Sequence, residues 1–336
     1  MGRFLQGSSR YNQRMEGPRT TSWELSGSDG RPIYGETHYP HEGSTTPSGI
    51  PMGSFFCCHG FKGYKDYGFL PLLCDRAARS GLIAIRFNFS HSGMTNHIDS
   101  FEHPGLFEKD TWSRQVNDLQ DLLAVGRLTG FDNIYGIPAN SSRPVVLFGH
   151  SRGGDTTLMT AARMFDQSFY THGTREAWPN HPNTQLAALI TAAAPDYACN
   201  LDDLAKEQLR AEGRLLSPSG RTGQDLYVGR EWLDEIERDP ELYDPVLAAA
   251  HVKCPTLIIH GSGDTTVPVE CAHNLHRAAT PNSRLAIIDG ASHTFDCPNP
   301  LPIDTPWAEV PAATRAMIDL TVAFAVEQCE KARGSA

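Results

Sequence analysis

The sequence predicts an α/β fold: a mostly parallel, twisted sheet with helices on both faces and a helical insertion past the middle of the chain. Three observations carry that expectation. Short apolar runs recur at residues 55–58, 82–89, 145–148, 186–194, 256–259 and 285–288, and runs without polar alternation suit strands buried on both faces. The segments between them are long enough for the crossover helices that parallel strands need. Finally, Gly149-His150-Ser151-Arg152-Gly153 follows one such run directly and precedes a helix-like segment.

Residues 1–20 are polar and rich in Arg and Gly, and read as a loose arm. Residues 23–25 and 33–38 flank Ser28-Asp29-Gly30-Arg31-Pro32, a turn-rich joint that predicts an antiparallel hairpin opening the sheet. A Gly, Ser, Thr and Pro loop over 42–53 leads into the first parallel strand. Helices are expected over 69–79, 113–128, 155–165, 269–279 and 311–331, the second with Val116, Leu119, Leu122 and Leu123 on one stripe. Pro311 opens the last helix and Gly334 lies past its expected end.

Two stretches interrupt the alternation. Residues 166–184, rich in His, Pro, Asn and Trp, read as a surface excursion. Residues 196–250 are longer, with charged helix-like patches at 201–212 and 231–238 around a Ser, Pro, Gly and Arg joint. The expected division is therefore an arm (1–20), a core (21–195 and 251–336) and a cap insertion (196–250) over the mouth of the site, a long insertion being more often functional than idle. Tyr227, Trp232, Leu233 and Tyr243 either line the cap or pack it onto the body.

Composition excludes several classes. At 336 residues and 40% hydrophobic, the chain can bury a large core. Its net charge of −10, with no Lys/Arg run, argues against nucleic acid as a partner. The most apolar internal stretch, 186–195, is far shorter than the roughly 20 residues that span a bilayer, so no membrane partner is expected. The first 17 residues contain no apolar core of a secretory leader, which favours a cytoplasmic location. Eight cysteines are scattered without paired C-x-x-C spacing and read as buried thiols, with Cys57 and Cys58 facing opposite ways along one strand.

The chemistry centres on Ser151. A hydroxyl is a poor nucleophile at neutral pH, so a sharp strand-to-helix turn must hold it clear of the backbone and within reach of a base. The string G-x-S-x-G arises by chance in roughly one chain in ten of this length, so its placement decides its value. Asp264 lies in His260-Gly261-Ser262-Gly263-Asp264, directly after the run 256–259, and His293 follows the run 285–288. All three residues thus fall past the carboxyl ends of parallel strands, the edge at which open α/β sheets place ligands. In the chain order Ser, Asp, His, His293 is the expected general base and Asp264 its orienting acid. Asp196, after the run 186–194, is the rival acid. The oxyanion that forms on acyl attack needs two backbone donors, assigned to the N–H groups of Arg152 and of Phe61 in the turn His59-Gly60-Phe61-Lys62-Gly63. His59 reads as a residue that shapes this turn. Neither H-E-x-x-H nor clustered Cys/His spacing is present, so the expectation is no metal and no cofactor.

Together the elbow at 149–153, the turn at 59–63, the segment Arg86-Phe87-Asn88-Phe89-Ser90-His91-Ser92-Gly93, the acid loop and His293 resemble the α/β-hydrolase superfamily, more narrowly its dienelactone-hydrolase-like, prolyl-oligopeptidase-like and feruloyl-esterase-like branch. The likeness runs from about Trp23 to the C-terminus and implies the α/β-hydrolase fold, with Ser151, Asp264 and His293 as triad and Phe61 and Arg152 as oxyanion donors. Two departures bear on subgroup. Related chains often carry Arg-Gly-x-Gly where Ser90-His91-Ser92-Gly93 stands, and dienelactone hydrolases proper use Cys where this chain has Ser151. The resemblance implies a serine esterase acting on a small-molecule ester through an acyl-enzyme. A thioesterase or small-peptide hydrolase uses the same triad, and a non-catalytic binding protein on this fold is the alternative from another class.

Overall fold

Which strands pair, and in which direction, follows from the lengths of their connections. A computed structural model describes residues 19–40, 50–128, 143–166, 185–279, 281 and 283–334. Strands β1 (Arg19–Ser26) and β2 (Pro32–Tyr39) form the expected antiparallel hairpin about a short turn at Ser28–Gly30. From β3 (Gly53–Cys58) onward the long connections force parallel pairing. β4 (Leu82–Asn88), β5 (Val145–His150), β6 (Leu186–Ala192), β9 (Thr256–Gly261) and β10 (Ser283–Ile288) join it in one eight-stranded sheet of order β1-β2-β4-β3-β5-β6-β9-β10. Only β1 with β2 and β2 with β4 run antiparallel there. A separate two-stranded ribbon, β7 (Arg214–Leu216) with β8 (Tyr227–Gly229), lies in the 196–250 segment.

Period-two alternation divides the core between the two faces of the sheet. In β3, Phe55 and Cys57 enter one apolar cluster and Phe56 and Cys58 the other, so the adjacent cysteines do face opposite ways. Helices α1 (Leu70–Arg79) and α9 (Ala312–Gly334) cover the first face. On the second lie α3 (Trp112–Leu128), preceded by the single turn α2 (Pro104–Phe107), then α4 (Arg152–Phe165), α7 (Pro245–His251) and α8 (Val269–Ala278). Val116, Leu119, Leu122 and Leu123 form the buried stripe of α3. No described helix is long and apolar enough to cross a membrane.

The 196–250 segment carries α5 (Asp203–Glu212), the β7–β8 ribbon and α6 (Arg230–Arg238) before reaching α7. Asp202 caps α5 by accepting the Ala205 N–H, and Gly213 ends it in the left-handed region at φ 76. Tyr243 and Leu233 are 1% exposed and Tyr243 joins the main core, which is the packing alternative for those two residues. Tyr227 and Trp232 are half-buried, with the Arg214 guanidinium 4.2 Å over the Tyr227 ring.

Boundaries differ from the sequence reading at both ends of the chain: Gly334, expected past the end of the last helix, is its final residue. The arm was expected to run to residue 20, yet Arg19 and Thr20 already belong to β1. That strand turns Thr21, Trp23 and Leu25 inward and leaves the rest exposed, so its polar start hid its pairing. The remainder of the arm and the excursion beyond Asp166 lie outside the described residues.

Candidate active site

β5 ends at His150 and α4 begins at Arg152, so the whole reversal falls on Ser151, at φ 53, ψ −129. A non-glycine residue in that region is strained and persists only where its surroundings over-determine it. The Ser151 N–H donates to Ala192 O at the end of β6 (2.8 Å), and its carbonyl accepts from Gly154 N–H at 2.7 Å. The glycines of the motif are steric requirements. A Cβ on Gly149 would lie 2.1 Å from Gly153 O, and one on Gly153 2.5 Å from the carbonyl oxygens of Cys58 and His59. The helix expected from residue 155 starts at 152, because Gly153 and Gly154, poor helix formers, masked its first turn.

The turn after β3 presses against this elbow. A Cβ on Gly60 would sit 3.0 Å from Ser151 Cβ and 3.5 Å from its Oγ. His59 holds the turn from below: Phe89 N–H donates to its Nε2 (3.2 Å), so Nδ1 carries the proton donated to Gly60 O at 2.9 Å. Burial pushes the His59 imidazole down to about 4, which suits a fixed, uncharged scaffold residue. Lys62 takes a left-handed φ of 56, and its Nζ reaches across to Pro218 O of the 196–250 segment at 2.7 Å. Phe61, 41% exposed, lies between them with its ring 5.3 Å from that of Phe107. The Arg152 N–H opens α4, where a helix supplies no internal acceptor.

Asp264 and His293 are brought together from neighbouring strands: His293 Nδ1 donates to Asp264 Oδ2 at 2.7 Å. The other carboxylate oxygen, Oδ1, accepts the N–H groups of Thr266 (2.8 Å) and Val267 (2.9 Å). Burial raises this carboxyl, but the donors His260, His293 and Val267 N–H outweigh it and hold Asp264 well below the usual carboxylate range. His293 is fastened beside the elbow by His150, the residue before Ser151. His150 Nε2–H donates to His293 O at 2.9 Å and the two rings lie 5.0 Å apart. Burial and the neighbouring His293 push the His150 imidazole down to about 3. Asp196 takes no part in this pair, since its carboxylate accepts from Asn274 Nδ2 at 2.5 Å.

The Arg152 side chain runs the other way, its guanidinium 4.5 Å over the Trp112 ring and 5.7 Å from that of Phe61, with Nη1 3.5 Å from Asp110. Sequence reasoning assigned no role to His150, His260, Asp110 or Trp112. The two histidines had a signal, since each precedes a named motif residue by one or four positions, whereas Asp110 and Trp112 had none. Among the described residues no group of three or more His, Cys, Asp or Glu could hold a metal ion.

With that geometry in place, comparisons bear on lineage. The profile of the alpha/beta hydrolase family matches residues 55–313, from β3 into α9. No curated protein gives a significant sequence match. Among solved structures, the esterase domain of a Rhodothermus marinus protein is similar at 17% identity, over 92% of this chain and 98% of that one, with a TM-score of 0.53. Est1E from Butyrivibrio proteoclasticus is 14% identical over 91% and 98% of the two chains, TM-score 0.57. A puromycin-hydrolyzing peptidase from Mycobacterium tuberculosis is 18% identical and covers 93% of this chain but only 39% of its own, TM-score 0.55. At such identities these structures share the fold.

Proposed function

The chain belongs to the alpha/beta hydrolase family, and on that premise we propose that it is a serine hydrolase cleaving carboxylic esters of small molecules through an acyl-enzyme. The observation that carries this reading is the 2.7 Å hydrogen bond between His293 and Asp264, fastened by His150 to the rim where Ser151 stands in its strained turn.

In the proposed cycle, Ser151 Oγ attacks the ester carbonyl carbon as its proton passes to His293 Nε2. The negative charge on the carbonyl oxygen is held by the N–H groups of Phe61 and Arg152. Collapse of that intermediate breaks the bond to the alcohol, which leaves with the proton from His293. Water then repeats the sequence on the acyl-enzyme, His293 taking its proton, and releases the acid with Ser151 restored. Asp264, charged and saturated with donors, keeps the proton of His293 on Nδ1 and leaves Nε2 free to accept.

The test is covalent and kinetic. A fluorophosphonate probe is expected to label the wild type but not Ser151→Ala, and that variant is expected to lose p-nitrophenyl acetate hydrolysis by roughly 10⁴-fold or more. Folded wild type that takes no label and hydrolyses no ester overturns the reading in favour of a non-catalytic protein. Comparing kcat/KM on the acetate, an acyl-thioester and an aminoacyl anilide separates ester from thioester and amide preference.

A further inference from the structure

We propose that His260, which is not a member of the triad, is a positioning residue for its acid: it donates a second imidazole N–H to the Asp264 oxygen that holds His293. The inference rests on the serine-hydrolase reading above and assigns a role that the fold alone does not require. His260 is the fifth residue of β9, fully buried, four positions before Asp264. Its Nε2 lies 2.9 Å from Val267 O and 3.2 Å from Asp264 Oδ2. Both neighbours are acceptors, so Nε2 carries the proton and shares it between them. Its Nδ1 has no hydrogen-bond partner among the described residues, leaving that single forked donation as the ring's polar contact.

The consequence is a carboxylate with every site filled. Oδ1 takes the N–H groups of Thr266 and Val267, and Oδ2 takes His293 and His260. A carboxylate offers about four lone-pair positions, so the carboxylate cannot rotate without breaking a bond. Orientation is one effect; charge is the other. A donor on Oδ2 draws electron density away from the contact with His293, so His260 weakens the pull of Asp264 on the imidazolium. The base is therefore returned to its proton-accepting form at a lower pH than a triad with an unshared Oδ2 would allow.

Among the described residues, Asp264 bonds His293 directly and His150 lies ring to ring with it at 5.0 Å. His260 reaches the same Asp264 oxygen, Tyr197 from the segment after β6 interacts electrostatically with Asp264, and Asp296 in the loop of His293 accepts the Ser292 N–H. Substituting His260 leaves the others in place. A shift in the pH profile then reports the missing donor.

The experiment is a pH–rate profile of kcat/KM on p-nitrophenyl acetate for wild type, His260→Leu and His260→Gln, with melting temperatures measured alongside. In His260→Leu the acidic limb is expected to move to higher pH by about half a unit or more, with the plateau about tenfold lower from loosened orientation. His260→Gln, whose Nε2–H can occupy the same place, is expected to bring the limb most of the way back. Limbs superimposed on wild type in both variants, with only melting temperature changed, overturn the proposal and leave His260 a packing residue. If His260→Leu fails to fold, His260→Asn, too short to reach Oδ2, makes the same comparison. Failure of the underlying reading looks different: Ser151→Ala would then retain the hydrolysis, whatever His260 does.

Discussion

Glu235, carried by α6, accepts the Ser113 hydroxyl at 2.7 Å and the Ser113 N–H at 3.2 Å, closing the first turn of α3 from a distant part of the chain. It also accepts the Trp112 N–H. The open donors at the start of α3 are thus satisfied by a residue more than a hundred positions away. Arg114 with Glu231 (2.7 Å) and Gly229 N–H to Glu108 O (2.8 Å) add to the same seam. These contacts hold the 196–250 segment beside Trp112, whose ring lies under the Arg152 guanidinium.

Glu235→Ala leaves those donors buried without an acceptor. The expected cost is about 2 kcal/mol of unfolding free energy, read from urea denaturation, together with faster proteolytic cleavage within 196–250. A variant as stable and as resistant as wild type would show that the seam does not depend on this carboxylate.

Gly60→Ala tests the approach of the 59–63 turn to Ser151, the proposed nucleophile. The added Cβ, 3.0 Å from Ser151 Cβ and 3.1 Å from His150 O, must displace one or the other. A shift of that size at the reacting atoms lowers kcat by about 10²-fold, with circular dichroism and melting nearly unchanged. Undiminished kcat would place the oxyanion donors elsewhere.

Asp110 contributes stability that falls as pH rises across the mildly acidic range, opposite in sign to the contribution of the buried His59 and His150. Burial pushes its carboxyl from 3.8 up to about 6, against the pull of Arg152 and the hydrogen bond from Gln115. The folded state therefore keeps a proton that the unfolded chain has lost. This contribution is complete below about pH 4 and disappears as pH rises through about 6. Asp110→Asn is expected to raise the urea unfolding free energy at pH 7 relative to that at pH 4, compared with wild type, by up to about 3 kcal/mol. Asp118, also pushed up to about 6 by burial, keeps part of the slope in the variant. A slope identical to wild type would overturn the assignment.

The thiols offer a simple check on packing. Cys57, Cys58, Cys74, Cys254, Cys271, Cys297 and Cys329 are buried, and burial raises the Cys58 thiol well above its ordinary value and those of Cys254, Cys271, Cys297 and Cys329 to about 12. Cys199 is the half-exposed exception. A native sample is expected to react rapidly with a disulfide reagent at Cys199, and at all eight cysteines only after denaturation. Rapid reaction at several thiols would mean that the sheet faces open readily.

Much of the candidate site is legible in the sequence because its residues follow strands. Ser151, Asp264 and His293 each come directly after an apolar run, and a parallel strand delivers whatever follows it to one edge of the sheet. The choice of Asp264 over Asp196 was different in kind. Both stand after strands; the local pattern favours Asp264, and the 2.7 Å contact with His293 for one and the Asn274 bond for the other separate them in space. The start of α4 was missed because glycines required for close approach are the same glycines that weaken a helix. The start of β1 was missed because an edge strand with one exposed face can be polar.

The sequence by itself determined the strand order of events: a hairpin, then alternating strands and helices, with the chemistry-bearing residues at the strand ends. Apolar periodicity and connection length are local properties, and they bound topology without any knowledge of contacts. Only the tertiary structure decided who holds whom. The Glu235 seam, the His150 link to His293, the Lys62 reach to Pro218 and the second donor on Asp264 join residues whose pairing depends on distances of about 3 Å. Hydrogen bonds are short-ranged and directional, so no pattern along the chain announces them until the sheet has brought its edges together.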